Sequence, residues 1–198
     1  MRVIGLTGGI ACGKSTISAA LRDMGAVIID GDVLSRELTA PGGPALPAIR
    51  EHFGDGVFLP DGTLDRRALG AIVFGSDEER LCLDGIMQPM LRRMILDGIE
   101  QARFSGAEVC VLDMPLLYEA GLEALCDRIW CAWIPRETQL ARLMARDGFT
   151  RDQAEARLHS QLPADEKAAR ADVVIDTSGT IEYTRDRLPA LLRQELEP

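Results

Sequence analysis

The sequence of 198 residues contains no asparagine, only two histidines and only two lysines, Lys14 and Lys167, so that nearly all its basic residues are arginines. Its five cysteines are odd in number and form no Cys-x-x-Cys pair, which argues against a disulfide framework and a zinc site. Uncharged apolar runs stay far below the roughly 20 residues of a membrane helix, and the N-terminus lacks signal-peptide architecture. The sequence therefore predicts a soluble, cytoplasmic protein without a membrane segment.

The charge balance is acidic, with a formal net charge of −9 at pH 7. Such a chain repels polyanions, so nucleic-acid binding through a broad basic surface is disfavoured. An anionic small molecule can still bind where positive charge is focused in a cleft. The length suits one ordinary domain spanning residues 1–198 that buries its own core.

Apolar runs alternate with amphipathic segments along most of the chain. This pattern predicts an α/β fold, a doubly wound parallel five-stranded sheet. From about residue 33 to residue 105 the pattern is helical, and we expect a helical substrate-side subdomain there. A helical lid is expected at about 137–165. The predicted strands are Val3–Leu6, Ala26–Asp30, Val109–Asp113, Ile129–Ile134 and Val173–Asp176.

Helix boundaries are indicated by residues with known capping preferences. Asp65, Ser76 and Thr150 are predicted N-caps, and Ser76 and Thr150 have capping-box spacing to the third residue beyond them. Pro89 is expected to start or kink the helix that runs towards Phe104. A last amphipathic helix is predicted over Ile181–Leu196.

A phosphate-binding loop follows the first predicted strand. The segment Gly8-Gly9-Ile10-Ala11-Cys12-Gly13-Lys14-Ser15 fits G-x-x-x-x-G-K-[ST], and Thr16 follows it. Backbone N–H groups of such a loop wrap phosphates, and the next helix points its positive end at them. Lys14 is predicted to reach the β and γ oxygens of ATP, and the Ser15 hydroxyl to ligate Mg²⁺.

P-loops also occur in switches and motors, so the loop alone does not specify a reaction. A GTPase that reads guanine through Asn-Lys-x-Asp is excluded because the chain has no asparagine. A large ATPase motor needs more chain. The interpretation that remains is a small kinase.

Two carboxylates, Asp30 and Asp32, stand at the end of the second predicted strand. This is the edge at which open α/β sheets bind ligands, and a kinase needs a carboxylate there to orient the attacking hydroxyl and accept its proton. We predict Asp32 as that base, although it also suits the N-cap of the following helix. Asp30 suits a structural or metal-shell role equally well. Arg36, one turn beyond Asp32, is a candidate for a substrate phosphate.

Two further elements carry candidate ligands of the nucleotide. The strand Val109–Asp113 ends in a carboxylate that matches the Walker B pattern, so Asp113 is a candidate Mg²⁺ ligand. Arg142 and Arg146 lie four residues apart, on one face of a predicted helix. A lid arginine of this kind stacks on adenine and screens the developing phosphoryl charge, which makes Arg142 a candidate catalytic residue. A salt-bridged surface helix remains the alternative.

Several longer stretches resemble dephospho-CoA kinases over nearly the whole chain. Beyond the P-loop, the most specific are Gly62-Thr-Leu-Asp-Arg66 and Pro115-Leu-Leu-Tyr-Glu119. The resemblance implies ATP-dependent phosphorylation of the ribose 3′-hydroxyl of dephospho-CoA, the last step of coenzyme A synthesis. It also implies Asp32 as base, an ATP loop at Ala11–Thr16, and Arg142 as an adenine or lid contact. A kinase for another small alcohol or nucleoside monophosphate, and a non-catalytic nucleotide switch, are the competing hypotheses.

The chain departs from the usual pattern of this family in its loop, where Ala11-Cys12 replaces Gly-Ser. Ala11 is expected to leave the loop unchanged only if its φ is negative. Cys12, beside Lys14 at a helix N-terminus, is predicted to have a lowered pKa and to be oxidisable. Gln88 and Thr177 replace a frequent His and Asn. The partner expected is dephospho-CoA alone, with a monomer or weak homo-oligomer as the quaternary state.

Overall fold

Five strands alternate with helices in the computed structural model of the chain, which describes residues 1–197. The strands are β1 (Arg2–Gly8), β2 (Val27–Asp30), β3 (Val109–Asp113), β4 (Arg128–Trp133) and β5 (Val173–Asp176). They form one parallel sheet in the order β2-β3-β1-β4-β5. The first strand therefore lies in the middle, and the predicted doubly wound α/β fold is confirmed.

The helices are amphipathic segments that follow the strands or fill the interval between β2 and β3. They are α1 (Lys14–Asp23), α2 (Gly31–Leu38), α3 (Leu46–Phe53), α4 (Arg66–Gly75), α5 (Asp77–Phe104), α6 (Arg136–Asp147), α7 (Arg151–His159), α8 (Ala164–Arg170) and α9 (Ile181–Leu196). The predicted bounds are correct for β3, β5 and α9. The ends of the other three strands differ from the prediction by one or two residues.

The core forms where helices cover the central strands. Every residue of β3 is buried, and Ile4, Leu6 and Trp130 are fully buried, because a strand covered on both faces needs apolar side chains on both. Helix α9 packs against α1. Its buried Glu195 accepts a hydrogen bond of 3.1 Å from the Trp130 indole and pairs with Arg128 at 3.2 Å, so this carboxylate is partnered.

The chain divides into two compact units. One comprises Met1–Ile29 and the chain from Ile99 onward, and it contains most of the sheet. The other, Asp30–Gly98, is built from helices with one isolated antiparallel bridge between Phe58 and Leu64. The second unit has its own buried apolar residues, namely Leu38, Ala45, Ile49, Val57, Leu69, Leu91 and Ile95. That this helical unit serves the substrate stays a prediction.

The capping predictions are confirmed, with one correction beside them. Asp65 accepts hydrogen bonds from two N–H groups of α4, Ser76 accepts from Glu79 N, and Thr150 forms a full capping box with Gln153. The Glu79 side chain does not turn back towards Ser76 but contacts His52 Nε2 at 2.9 Å.

Pro89, which was predicted to start or kink this helix, does not start it but lies inside α5. A proline there cannot donate to the carbonyl four residues back, yet α5 extends for twelve residues before Pro89 and fifteen residues after it. None of the helices described for residues 1–197 is both long and apolar enough to cross a membrane.

Candidate active site

The loop between β1 and α1 is shaped to receive phosphate. Gly13 caps α1 in a left-handed conformation with φ of 76°, and no side chain occupies the free N–H groups of the first turn. That turn also contains no acidic residue. An anion at this position therefore meets the positive end of the helix with no capping side chain or carboxylate in competition.

Close packing behind the loop explains its first glycine. A Cβ on Gly8 would lie 2.6 Å from the Ala132 carbonyl oxygen of β4, so a larger residue displaces the strand. The buried Gln139 of α6 donates from Nε2 to the Ile10 carbonyl at 2.7 Å. Thr177, after β5, donates to the Cys12 carbonyl at 2.7 Å. Three different elements thus hold the loop backbone in place.

The Lys14 ammonium pairs with the Asp113 carboxylate. The pairing follows from the fold, because β3 lies beside β1 with Asp113 opposite Leu6, and the chain of β1 leads into the loop. Asp113 is almost fully buried, and its side-chain exposure is 5% against 18% for Lys14. The carboxylate predicted as a metal ligand and the lysine predicted to bind phosphate are therefore brought together.

A cavity of about 430 Å³ opens beside the loop. Arg142 of α6 lines it and donates from Nη2 to the Thr177 carbonyl oxygen at 2.9 Å. The turn after β5 is fixed by Asp176, whose pKa is lowered by hydrogen bonds from Ser178. The cavity is lined by Ala11, Gly13, Ser15, Thr16, Arg142, Arg146, Thr177, Gly179, Thr180, Ile181 and Thr184.

The second predicted lid arginine also lines this cavity. Arg146 makes two hydrogen bonds of 2.8 Å to Asp147. This hydrogen bonding holds the pKa of the Asp147 carboxyl below its usual range. Arg151, in contrast, pairs with Glu137 and Glu155 on the surface of α6 and α7. Arg142 and Arg146 thus share a face towards the nucleotide loop, whereas Arg151 belongs to an exposed ion-pair network.

The acceptor-side carboxylates have different local roles. Asp30, and not Asp32, is the N-cap of α2, and its Oδ1 accepts from Asp32 N at 2.9 Å and from Val33 N at 3.1 Å. This corrects the alternative in which Asp32 was the cap. Asp32 lies in the first turn of α2 with an exposed side chain, and Arg36 follows one turn later. The Asp32 carboxylate therefore has no capping role in α2.

The prediction for Cys12 is wrong. Its side chain is 1% exposed and packs in the main core with Ile17 and Ile134. Burial removes the thiolate from water and raises the pKa of Cys12 to about 11, which outweighs hydrogen bonds from the backbone and the charges of Arg142 and Lys167. The helix N-terminus lowers a thiol pKa only when the sulfur faces the free donors, and here the sulfur points inward.

Ala11 does not meet the condition set for an unchanged loop. Its φ is 61°, and within residues 1–197 it is the sole non-glycine residue with a positive φ. A side chain in this left-handed region carries a strain of about 1–2 kcal/mol. The loop nevertheless places Gly13, Lys14 and Ser15 at the start of α1.

Lys167, for which no role was predicted, is fully buried on α8. Its ammonium pairs with Glu119 at 2.8 Å and donates to the Pro115 carbonyl at 2.5 Å. Glu119 also accepts from Leu162 N at 3.0 Å, and Thr7 donates to the same Pro115 carbonyl at 3.1 Å. The one available signal was the rarity of lysine in this chain.

Comparison with known proteins identifies a family. The family model described as dephospho-CoA kinase (CoaE) matches residues 2–183. A protein of that name from Anaeromyxobacter dehalogenans is 50% identical over 196 residues, covering 98% of this chain and 93% of the relative. The solved structure of TT1252 from Thermus thermophilus aligns with a TM-score of 0.83 and 32% identity, covering 98% of this chain and 97% of that one. Dephospho-CoA kinase from Campylobacter jejuni aligns with a TM-score of 0.74 and 26% identity, covering 97% and 96%. Because a family model spans most of its length and a relative of that name is 50% identical over nearly the whole chain, the chain belongs to the dephospho-CoA kinase family.

Proposed function

We propose that this chain transfers the γ-phosphoryl group of ATP to the ribose 3′-hydroxyl of dephospho-CoA and so completes coenzyme A. The observation that carries the proposal is the phosphate loop at Gly8–Thr16, with Lys14 paired to Asp113, in a chain matched by the family model over residues 2–183. ATP is the phosphoryl donor, and the helical segment at about 33–105 is the acceptor-binding part of a single kinase domain.

On the donor side, the loop binds the triphosphate through its N–H groups and through Lys14. Phosphoryl transfer spreads negative charge over the equatorial oxygens of the transferred group. Lys14, at the positive end of α1, stabilises that charge, and the buried setting of Asp113 strengthens each interaction there.

Ser15 and Asp113 are the residues that would hold Mg²⁺. Hydroxyl and carboxylate oxygens are the donors that this ion prefers, and Mg²⁺ commonly completes its shell with substrate phosphates and water. Within residues 1–197 no group of three or more His, Cys, Asp or Glu side chains is close enough to hold a metal, so the two residues suit a shared rather than an all-protein site. Bound there, Mg²⁺ would supply positive charge that neutralises the phosphates of the nucleotide.

On the acceptor side, Asp32 orients the ribose 3′-hydroxyl and accepts its proton. Two features support this role: the side chain is exposed, and the neighbouring Asp30 already caps α2. A carboxylate that does not cap the helix is free to contact the substrate. Arg36 binds a phosphate of the acceptor.

The lid, about residues 137–165, excludes water from the reacting groups and carries Arg142 and Arg146. Both arginines line the cavity beside the loop, and a planar guanidinium stacks on a base as well as pairing with phosphate. Arg142 is the better placed for adenine, because its hydrogen bond to the Thr177 carbonyl oxygen holds the guanidinium over the cavity.

A kinase assay with ATP, Mg²⁺ and dephospho-CoA tests the proposal, with location of the new phosphate on the ribose by NMR. Shikimate, gluconate and nucleoside monophosphates serve as competing acceptors. Asp32→Asn is expected to lower kcat by about 10²–10⁴-fold with ATP binding retained, because it removes general-base catalysis only. Lys14→Ala is expected to weaken ATP binding and abolish turnover. Unchanged kcat in Asp32→Asn, or preference for another acceptor, contradicts the proposal.

A further inference from the structure

Helix α2 carries three polar side chains on one face. Asp32, Arg36 and Thr39 are spaced by four and then three residues, the spacing that places side chains above one another on a helix, although Thr39 is the residue that ends α2. At about 1.5 Å per residue, Asp32 and Arg36 are separated by about 6 Å along the axis. The proposed base is therefore followed, within one turn, by a guanidinium.

A second arginine is fixed at the far end of the same face. Arg66, the first residue of α4, donates from Nη2 to the Thr39 hydroxyl at 2.6 Å. Thr39 is buried, and its own hydroxyl hydrogen is directed at the carbonyl oxygens of Ser35 at 3.2 Å and Arg36 at 3.4 Å. Thr39 therefore acts as a positioning residue that fixes Arg66 beside the C-terminus of α2.

The two arginines share an open cavity of about 420 Å³. Its lining combines these two guanidinium groups with small and apolar walls, and it contains no carboxylate. The lining residues are Arg36, Thr39, Ala40, Pro41, Thr63, Leu64 and Arg66.

The nearest carboxylates along the chain are engaged with other groups. Asp61 accepts from both the N–H and the hydroxyl of Thr63, and the hydroxyl contact is the larger reason why the pKa of Asp61 is lowered. Asp65 accepts from two N–H groups at the start of α4. In the part of the chain that the structure describes, neither Arg36 nor Arg66 forms an ion pair, although acidic residues exceed basic ones. The cavity is thus a local positive site in an acidic protein.

We propose that Arg36 and Arg66 form the binding site for the diphosphate group of the acceptor, with Thr39 orienting Arg66. The inference rests on the proposed function and names the part of dephospho-CoA that these residues recognise. Planar guanidinium groups pair with phosphate oxygens through two parallel hydrogen bonds, which suits a site built from arginine.

The chemistry of the acceptor matches the order of groups along α2. Dephospho-CoA carries its negative charge on one diphosphate, with one charge on each phosphate, and two guanidinium groups balance these two charges. The diphosphate is attached to the 5′ carbon of the ribose whose 3′-hydroxyl reacts. A base at Asp32 and cations at Arg36 and Arg66 therefore follow the sequence of reacting hydroxyl and diphosphate on a single nucleoside.

The test is steady-state kinetics of Arg66→Gln and Arg36→Gln with dephospho-CoA and ATP varied separately. Loss of one charge-assisted contact raises the KM for dephospho-CoA about 10- to 100-fold, with kcat and the KM for ATP within about twofold of the parent chain. Arg66→Lys keeps the positive charge but not the planar guanidinium, so its KM for dephospho-CoA lies between those of Arg66→Gln and the parent chain. Thr39→Val, which frees the Arg66 side chain, raises the same KM by a smaller factor. Higher salt raises the KM of the parent chain more than that of Arg66→Gln.

Arg67→Gln is the matched control, because Arg67 is the next residue of α4, is exposed, and does not line the cavity. We expect its KM for dephospho-CoA to equal that of the parent chain. If Arg66→Gln keeps the parent KM in an active enzyme, this site is refuted while the proposed function stands. A fall in kcat with unchanged KM also refutes it, since that assigns Arg66 to another step. A parent chain that gives no coenzyme A refutes the proposed function and this inference with it.

Discussion

Replacing Lys167 by methionine is expected to be strongly destabilising. The ammonium is fully buried, while the side chain of its partner Glu119 is 24% exposed. Loss of one partner of a buried pair typically costs about 3–5 kcal/mol, and the partial exposure of Glu119 favours the lower end of that range. The lost charge-assisted contact to the Pro115 carbonyl lies within the same total. We therefore expect a loss of about 3 kcal/mol, or about 6–12 °C in Tm for a chain of this length.

Urea unfolding and differential scanning calorimetry measure this loss, with Arg185→Met as the matched control. Arg185 pairs with Asp23 at 2.6 Å, but its side chain is 45% exposed and that of Asp23 62% exposed. An exposed pair of this kind contributes about 0–1 kcal/mol. The comparison separates burial from the mere presence of an ion pair.

A double variant, Lys167→Met with Glu119→Leu, sharpens the test. Replacing both partners removes the uncompensated carboxylate, so the double variant is expected to recover part of the stability lost in Lys167→Met. If Lys167→Met and Arg185→Met differ by less than about 1 kcal/mol at equal urea m-values, burial of the Lys167 ammonium does not control its contribution, and the reasoning is wrong.

Two further predictions concern the phosphate loop. Cys12 in the folded protein is expected to react with iodoacetamide at least about tenfold more slowly than the half-buried Cys82, because burial raises its pKa to about 11 and only the thiolate is nucleophilic. Peptide mass spectrometry after timed quenching measures both sites, and equal rates contradict the inward-facing sulfur. Ala11→Gly is expected to stabilise the protein by about 0.5–1 kcal/mol, because it relieves a left-handed alanine at the cost of some backbone entropy. Thermal unfolding measures this gain, and the exposed helical Ala145→Gly serves as a control that should lose about 1 kcal/mol. A destabilised Ala11→Gly contradicts the assigned strain.

The features that sequence predicted well are encoded locally. The phosphate loop is a contiguous signature between an apolar strand and a helix, and both flanking elements form as expected. The position of Asp113 at the end of β3 and of Arg142 and Arg146 on one helix was predicted from strand and helix periodicity, which depends only on neighbouring residues. Asp65 and Thr150 cap their helices for the same reason.

The errors arose where two local solutions are nearly equal. Asp30 and Asp32 both precede the apolar positions of α2, and either one could cap it. Asp30 takes the role because its backbone is still extended, with φ of −94° and ψ of 112°, whereas Asp32 is already helical. Similarly, a pattern of residue types encodes neither the left-handed conformation of Ala11 nor the burial of the Cys12 side chain in the core.

The contacts of Lys167 could not be predicted from local sequence patterns, because its partners lie about fifty residues away in the chain. Once the fold is known, a physical reason for the two lysines emerges. Both act at the end of β3 or just beyond it: Lys14 pairs with Asp113, the last residue of β3, and Lys167 contacts Pro115 and Glu119. An ammonium is a compact charge that enters a narrow buried site, whereas the planar fork of arginine needs more room and more acceptors. In a chain that otherwise uses arginine for positive charge, the end of β3 and the turn after it are therefore the places where lysine cannot readily be replaced.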